Sequence, residues 1–189
     1  MKHLLLILII FSISCNAQTI SLEQAVTYEQ QTGTIPQSTT YIKDINNSLN
    51  KYIGTWKGYL NGNTYEFSFI KKENVGGYDV NWDLLVGRLK VLDSSGNVIY
   101  NTFNEQDDLK TKFKGDNFQS DLKAYKMYFV GNSVGCAEYG DVYLRIQPST
   151  PSQMTIIMLP DNDIVVEGVC PTNFQPTIPY KQLIHLTKQ

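Results

Sequence analysis

Histidine is almost absent from this sequence, at two residues in 189, and only His185 lies beyond the apolar start of the chain. Cysteine is scarce as well, at three, and no CxxC pair occurs. Together these shortages leave too few thiol and imidazole ligands for a structural zinc site. No apolar run approaches the roughly 20 residues that a membrane-crossing helix needs, because charges or glycines break every later stretch. Basic residues are dispersed: Lys71-Lys72 is the one adjacent pair, and the net charge is −2. A nucleic-acid partner or a polybasic membrane patch is therefore not indicated. No cofactor is expected.

What is present begins with an export signal. Lys2 and His3 precede Leu4 to Phe11 (LLLILIIF), an apolar run of the length found in the hydrophobic part of a secretory signal. Two cleavage readings follow. Ser12-Ile13-Ser14-Cys15 resembles a lipobox, in which small residues precede a cysteine that is acylated and becomes the new N-terminus. Cys15-Asn16-Ala17 before Gln18 resembles the small-x-small site of ordinary signal peptidase. Residues 1–17 thus read as a signal peptide, cut before Cys15 or after Ala17. In the first case the membrane is a partner through an N-terminal lipid anchor, and two or three acyl chains hold far better than one. The expected location is the cell envelope, facing periplasm or cell surface; the second cut gives a soluble secreted or periplasmic protein. Cys136 and Cys170 remain as a disulfide candidate in an oxidising compartment, with two buried free thiols as the alternative. Closing that loop would stabilise the fold by roughly 3–4 kcal/mol.

Past the signal, about 172 residues suffice for one domain with a sizeable core. Residues 18–50 read as an N-terminal arm with short helices that crosses or plugs something. Ser21 and Gln24 form a capping-box signature, with Leu22, Ala25 and Val26 on one face, and Gly33 and Pro36 ending the helix. A second helical stretch is expected from Thr40 to about Asn50, where Ile42, Ile45 and Leu49 share a spacing. From residue 51 to 189 the character is β. Ile53–Leu60, Asn61-Gly62 and Tyr65–Lys72 make a hairpin signal. Val80–Leu92, Val98–Thr102, Tyr125–Val130, Tyr139–Ile146, Met154–Leu159, Ile164–Val169 and Tyr180–Lys188 complete a set of about nine strands. Residues 104–123 read as a long hairpin with a solvated tip, or a flap over a barrel mouth. Short strands with hairpin turns indicate an all-β antiparallel sandwich or barrel, and closure would remove the exposed edges.

Gly54-Thr55-Trp56, at the start of the first long strand, resembles the GxW signature of lipocalin-like barrels, in which the tryptophan closes one end. The wider segment from Tyr41 to Lys57 (YIKDINNSLNKYIGTWK) resembles the N-terminal hallmark of an uncharacterised domain-of-unknown-function family of flavobacterial envelope proteins. That resemblance implies an antiparallel lipocalin-like barrel of about 8–10 strands behind a lipoprotein-type signal. It brings no established activity. Lipocalins also pack a basic residue from the last strands over the tryptophan, and Arg145, Lys181 and Lys188 are the candidates here. A ligand role carried over from lipocalins is analogy, because fold does not set function.

Candidate chemistry is sparse. Gly131-Asn132-Ser133-Val134-Gly135 is a formal GxSxG, and Asp163 and His185 follow in the order of α/β-hydrolases, but that motif needs a strand, a sharp turn and a helix. Asp107-Asp108 and the pair Asp161 and Asp163 read as solvated loop charges, well short of a Ca²⁺ loop. Alternation predicts that Glu66 and Asp83 face outward; Glu167 also lies in a predicted strand. No catalytic or metal residue is assigned. The candidate ligand-binding residues are those expected to face the barrel interior: Tyr65, Phe67, Phe69, Trp82, Leu84, Tyr128 and Tyr143. Such a lining suits a small apolar ligand, and a solid core would use the same side chains. The expected function is a non-enzymatic envelope lipoprotein that binds such a ligand. The alternatives are a solid structural or interaction module with an unspecified protein partner and, third, a hydrolase using Ser133.

Overall fold

Along Asn63–Val75 the aromatic side chains of Tyr65, Phe67 and Phe69 alternate with Glu66 and Ser68, so one face of that strand must be buried. The computed structural model describes residues 17–76, 79–108, 110–133, 135–161 and 165–189 and shows what it is buried against. The elements in chain order are β1 (Gln18–Ser21), α1 (Leu22–Thr32), β2 (Thr39–Lys43), a 3₁₀ turn (Asn50–Tyr52), β3 (Gly54–Leu60) and β4 (Asn63–Val75). They continue with β5 (Asn81–Leu92), β6 (Val98–Asn101), β7 (Phe113–Phe118), β8 (Ala124–Val130), β9 (Tyr139–Ile146), β10 (Gln153–Pro160) and β11 (Leu183–Lys188). Hydrogen-bonded neighbours run β5-β4-β3-β11-β10-β9-β8-β7, and β7 returns to β5. The result is a closed, eight-stranded antiparallel barrel, the all-β lipocalin-like architecture that the Gly54–Trp56 segment implied. Asn61 and Gly62, with φ of 51° and 81°, turn β3 into β4 as an Asn-Gly pair should.

Closure is made at a narrow seam. β7 meets β5 at the pair Val86–Lys114, and two glycines allow the approach. A Cβ on Gly87 would lie 2.6 Å from the Phe113 ring, and one on Gly115 2.2 Å from the Tyr125 hydroxyl. That hydroxyl accepts the Leu85 N–H at 3.4 Å, so a side chain supplies a bond that the short ladder does not. Inside, rings fill the space between the walls. Phe113 packs edge-on to Phe129, Phe69 and Phe67 at centroid distances of 5.5, 5.7 and 6.3 Å. Phe118 and Tyr52 pack on Tyr125 at 5.1 and 6.0 Å. At one end Trp56 is fully buried; its indole N–H donates to the Tyr52 carbonyl at 2.8 Å. Lys188 provides the basic residue over the tryptophan, its Nζ 5.2 Å from the ring centroid. Arg145 and Lys181 are exposed elsewhere.

The N-terminal arm extends this sheet. β1 pairs with β2, and β2 with the start of β5, both in parallel. The Ser21–Gln24 capping box forms, with reciprocal bonds of 3.1 and 2.8 Å, and Leu22, Ala25 and Val26 are buried. The expected second helix does not form. Thr39–Lys43 is a strand, as its β-branched and aromatic residues favour, and Ile45 stays 52% exposed. Two further strand expectations change. Residues 165–169 are an exposed turn segment, and β7 lies within the polar stretch 104–123. With β1, β2 and β7 the described residues form eleven strands.

Asp83 ties the arm to the barrel, and it points inward, against the outward expectation. It is 1% exposed. Its Oδ1 accepts the Tyr41 hydroxyl and the Asn74 N–H (3.0 Å to the latter), and its Oδ2 accepts the Asp44 N–H at 2.9 Å. Asp44 in turn accepts the Ser48 N–H at 2.7 Å and meets the Lys71 ammonium at 3.3 Å. Burial, then the bond to Asp83, pushes the Tyr41 phenol up to about 12. Asp83→Ala would leave these donors buried and unpaired, which should lower unfolding free energy by about 3 kcal/mol in urea titrations. A loss within about 0.5 kcal/mol, the range of ordinary surface substitutions, would show that the arm is held by other contacts.

Candidate functional site

The predicted ligand-binding residues divide between the two faces of the wall. Tyr65, Phe67 and Phe69 are buried inward, at 0–1% exposure. Leu84, Tyr128 and Tyr143 lie on the outer face, contrary to expectation; Trp82 shares the parity of Leu84 but is half-buried against the core where β2 pairs with β5, beside Ile42. Their strand parity carries the reason. On β5, Trp82 and Leu84 share a face with Arg88 and Lys90, while Leu85, Leu89 and Val91 point in. On β8, Tyr128 shares the face of Lys126, while Tyr125, Met127 and Phe129 point in. Tyr143 shares the face of Asp141 and Arg145. The outer phenols are engaged there, Tyr128 donating to Asp161 at 2.6 Å and Tyr143 to Asp141 at 3.2 Å. Burial, followed by these carboxylates, raises both phenol pKa values.

Charges elsewhere on the wall pair across strands. Glu66 faces outward between Lys57 and Lys90, at 3.1 and 3.7 Å. Glu167 is in the exposed turn segment. Asp108 is gripped by Lys72 at 2.5 Å and Arg88 at 2.6 Å, which straps the loop after β6 along the outside of β4 and β5. A cleft of about 470 Å³ opens beside this strap, over Leu84 and Val86. Among the described residues no three His, Cys, Asp or Glu side chains converge as a metal site.

The end of the barrel opposite Trp56 is built from the β3–β4 turn, the β8–β9 loop and the long β10–β11 connection. Cys136 and Cys170 form a disulfide across the last two. Glu138, 3% exposed, fastens them again: its Oε2 accepts the Ser133 N–H at 3.0 Å and its Oε1 the Thr177 N–H at 2.7 Å. Gly131 is required beneath it, since a Cβ there would lie 2.1 Å from the Glu138 carboxyl. Two adjoining clefts of about 420 and 390 Å³ open at this end and share Asn63, Gln175 and Pro176. Both fall in the size range of small-molecule sites. This distal mouth is the candidate site. Glu138 carried no motif that would have marked it in the sequence.

The GxSxG segment belongs to this mouth and lies between β8 and β9; none of its described residues is in the helix that would present a nucleophile. Ser133 lines the mouth beside Glu138, whereas His185 is on the outer face of β11, paired with Thr155 and lining a different cleft with Arg145. Asp163 and Cys15 lie outside the described residues. Ser133 and His185 are therefore not brought together.

A family model described as a family of unknown function (DUF6705) matches residues 1–147. That is most of the chain, and the chain belongs to this family. No curated protein and no solved structure matches it.

Two measurements follow from this geometry. Replacing both bridged cysteines by serine should cost about 3–4 kcal/mol of unfolding free energy, the loop-closure contribution of a cross-link of this span; an unchanged urea midpoint would contradict it. The bonds from Lys72, then Arg88, hold Asp108 below its ordinary 3.8, so the strap stabilises the fold above that value and is lost as pH falls through the lowered one. The stability difference between the parent and Asp108→Asn should accordingly be largest at neutral pH and shrink as pH falls below the ordinary carboxylate range. A constant difference across that range would show that the carboxylate charge is irrelevant.

Proposed function

We propose that this protein is an exported, non-catalytic module of the cell envelope, with a solid barrel that carries a contact surface on its distal loops. The observation that carries the reading is the filled interior. Tyr52, Trp56, Tyr65, Phe67, Phe69, Tyr125 and Phe129 are each at most 1% exposed. Their rings occupy the space that an apolar ligand would need, and interiors of this kind are close-packed. A solid barrel cannot act through its inside, so activity falls to its surface.

Export is supported by the apolar run Leu4–Phe11 and by the Cys136–Cys170 disulfide, a bond typical of oxidising compartments. No helix among the described residues is long and apolar enough to cross a membrane. Attachment then falls to Cys15, acylated and followed by only Asn16 and Ala17 before β1. Because β1 and β2 run parallel to β5, Gln18 is at the end of the barrel where β5 begins, and the disulfide-bridged loops are at the other. Lipid and mouth would thus sit at opposite ends, the mouth turned away from the membrane.

Three readouts test the proposal. Acyl labelling should mark the parent and spare Cys15→Ala; an unlabelled parent means that Cys15 leaves with the signal. Organic extraction of purified protein followed by mass spectrometry should yield no stoichiometric apolar molecule, and finding one would sink the solid-barrel reading. A photo-crosslinker at Gln182, beside the mouth, should trap an envelope component in intact cells, while one at Thr155 on the outer wall should not.

A further inference from the structure

We infer that the distal mouth binds a neutral oligosaccharide. The inference rests on the reading of that end as the working surface and names the chemistry it would recognise. Carboxamides dominate the polar lining: Asn61, Asn63, Gln175 and Gln182 around one cleft, with Asn132 added at the other. No Lys, Arg, His or Asp lines either cleft, and the one carboxylate, Glu138, spends both oxygens on backbone N–H groups. Lys112 stands next to the second cleft, but its ammonium donates to the Asn132 carbonyl at 3.2 Å; an anionic ligand thus finds no cation in the lining itself, and metal ions or amines find no available anion there. A wholly apolar chain would leave the amides desolvated without partners.

What remains is a ligand that is uncharged, rich in hydrogen bonds and apolar on its faces. Each carboxamide offers two donors and an acceptor, which matches neighbouring sugar hydroxyls that both donate and accept. Tyr100, Tyr180 and Pro176, all half-buried, supply the apolar surface on which the C–H face of a sugar ring can rest. The pair Asn61–Gln182 is already oriented, the Asn61 amide donating to the Gln182 carbonyl at 3.0 Å. The strand that bears Asn63, β4, is paired on both sides by β3 and β5, so it offers an extended peptide no ladder to join; β6, whose Ile99 and Tyr100 line the second cleft, pairs on one side only, with β5, and is four residues long. The disulfide and Glu138 hold the loops in place before a ligand arrives, which reduces the ordering cost of binding.

The test is calorimetric titration of the processed protein with neutral hexasaccharides (maltohexaose, cellohexaose, mannohexaose, xylohexaose and chitohexaose), with hexagalacturonate and decaproline as the charged and peptide comparisons. At least one neutral sugar should bind with a sub-millimolar Kd, and the Asn63→Ala/Gln175→Ala double variant should weaken it at least tenfold. That variant should keep the parent's urea midpoint. Thr155→Ala, on the outer wall, should bind as the parent does. Failure of every neutral sugar, preference for hexagalacturonate or decaproline, or undiminished binding by a folded double variant would each overturn the inference. The outcomes also separate it from the wider reading. A crosslink from Gln182 without sugar binding removes the saccharide and keeps the surface. A small molecule extracted from the interior removes the solid barrel whatever the sugars do.

Discussion

Everything in this fold depends on β7 coming close enough to β5 to close the barrel. The approach is permitted by the missing side chains of Gly87 and Gly115, and it is consolidated by Phe113 and Tyr125, which occupy the space those glycines vacate. Once the seam closes, no long edge of the barrel is left for another chain to extend. Its interior becomes a stack of rings from opposite walls. Those stacked rings are what the proposed solid barrel rests on, and they direct attention to the loops.

Two buried carboxylates hold the ends of that barrel in different ways. Asp83 collects donors from β2, from the turn after it and from the irregular end of β4, so that the arm is fastened by hydrogen bonds as well as by Leu22, Val26 and Ile42. Glu138 does the corresponding work at the distal end, with the disulfide beside it. In both places the carboxylate is satisfied chiefly by backbone N–H groups, an arrangement that tolerates burial because the charge is hydrogen-bonded. Loops braced by the disulfide and Glu138 can present Asn63, Gln175 and Tyr180 together. That is the physical basis for the role proposed for the mouth.

Much of the fold was legible along the chain. Asn61-Gly62, the Ser21–Gln24 capping box and the alternation of Tyr65, Phe67 and Phe69 each carry a local cause, and each forms as read. Parity was legible too, but it had to be taken from the charges. Lys126 places Tyr128 outside, Arg88 places Leu84 outside, and Arg145 places Tyr143 outside. Choosing the aromatic residues as the inner set reversed these strands. Asp83 ran against the same rule, because a carboxylate on the inner parity of β5 is tolerable only where Tyr41 and the backbone of Asp44 arrive from about 40 positions earlier. For Thr39–Lys43 the helical spacing of Ile42, Ile45 and Leu49 was real, yet pairing with β5 outweighed it.

The sequence alone determined the β character of residues 51–189, the hairpin at Asn61-Gly62, the export signal as an expectation and the surplus of one cysteine pair. These rest on local backbone preference and on the period of two in strands, which neighbouring residues suffice to express. Only the tertiary structure decided that the barrel is closed around packed rings, that Lys188 covers Trp56, and that Glu138 and a disulfide brace a mouth lined with amides. Those facts depend on residues far apart in the chain meeting in space. Gly87 against Phe113, Glu138 against Thr177 and Asn61 against Gln182 leave no periodic trace in one dimension, because what selects them is the volume and the unpaired donors of a partner that only folding brings near.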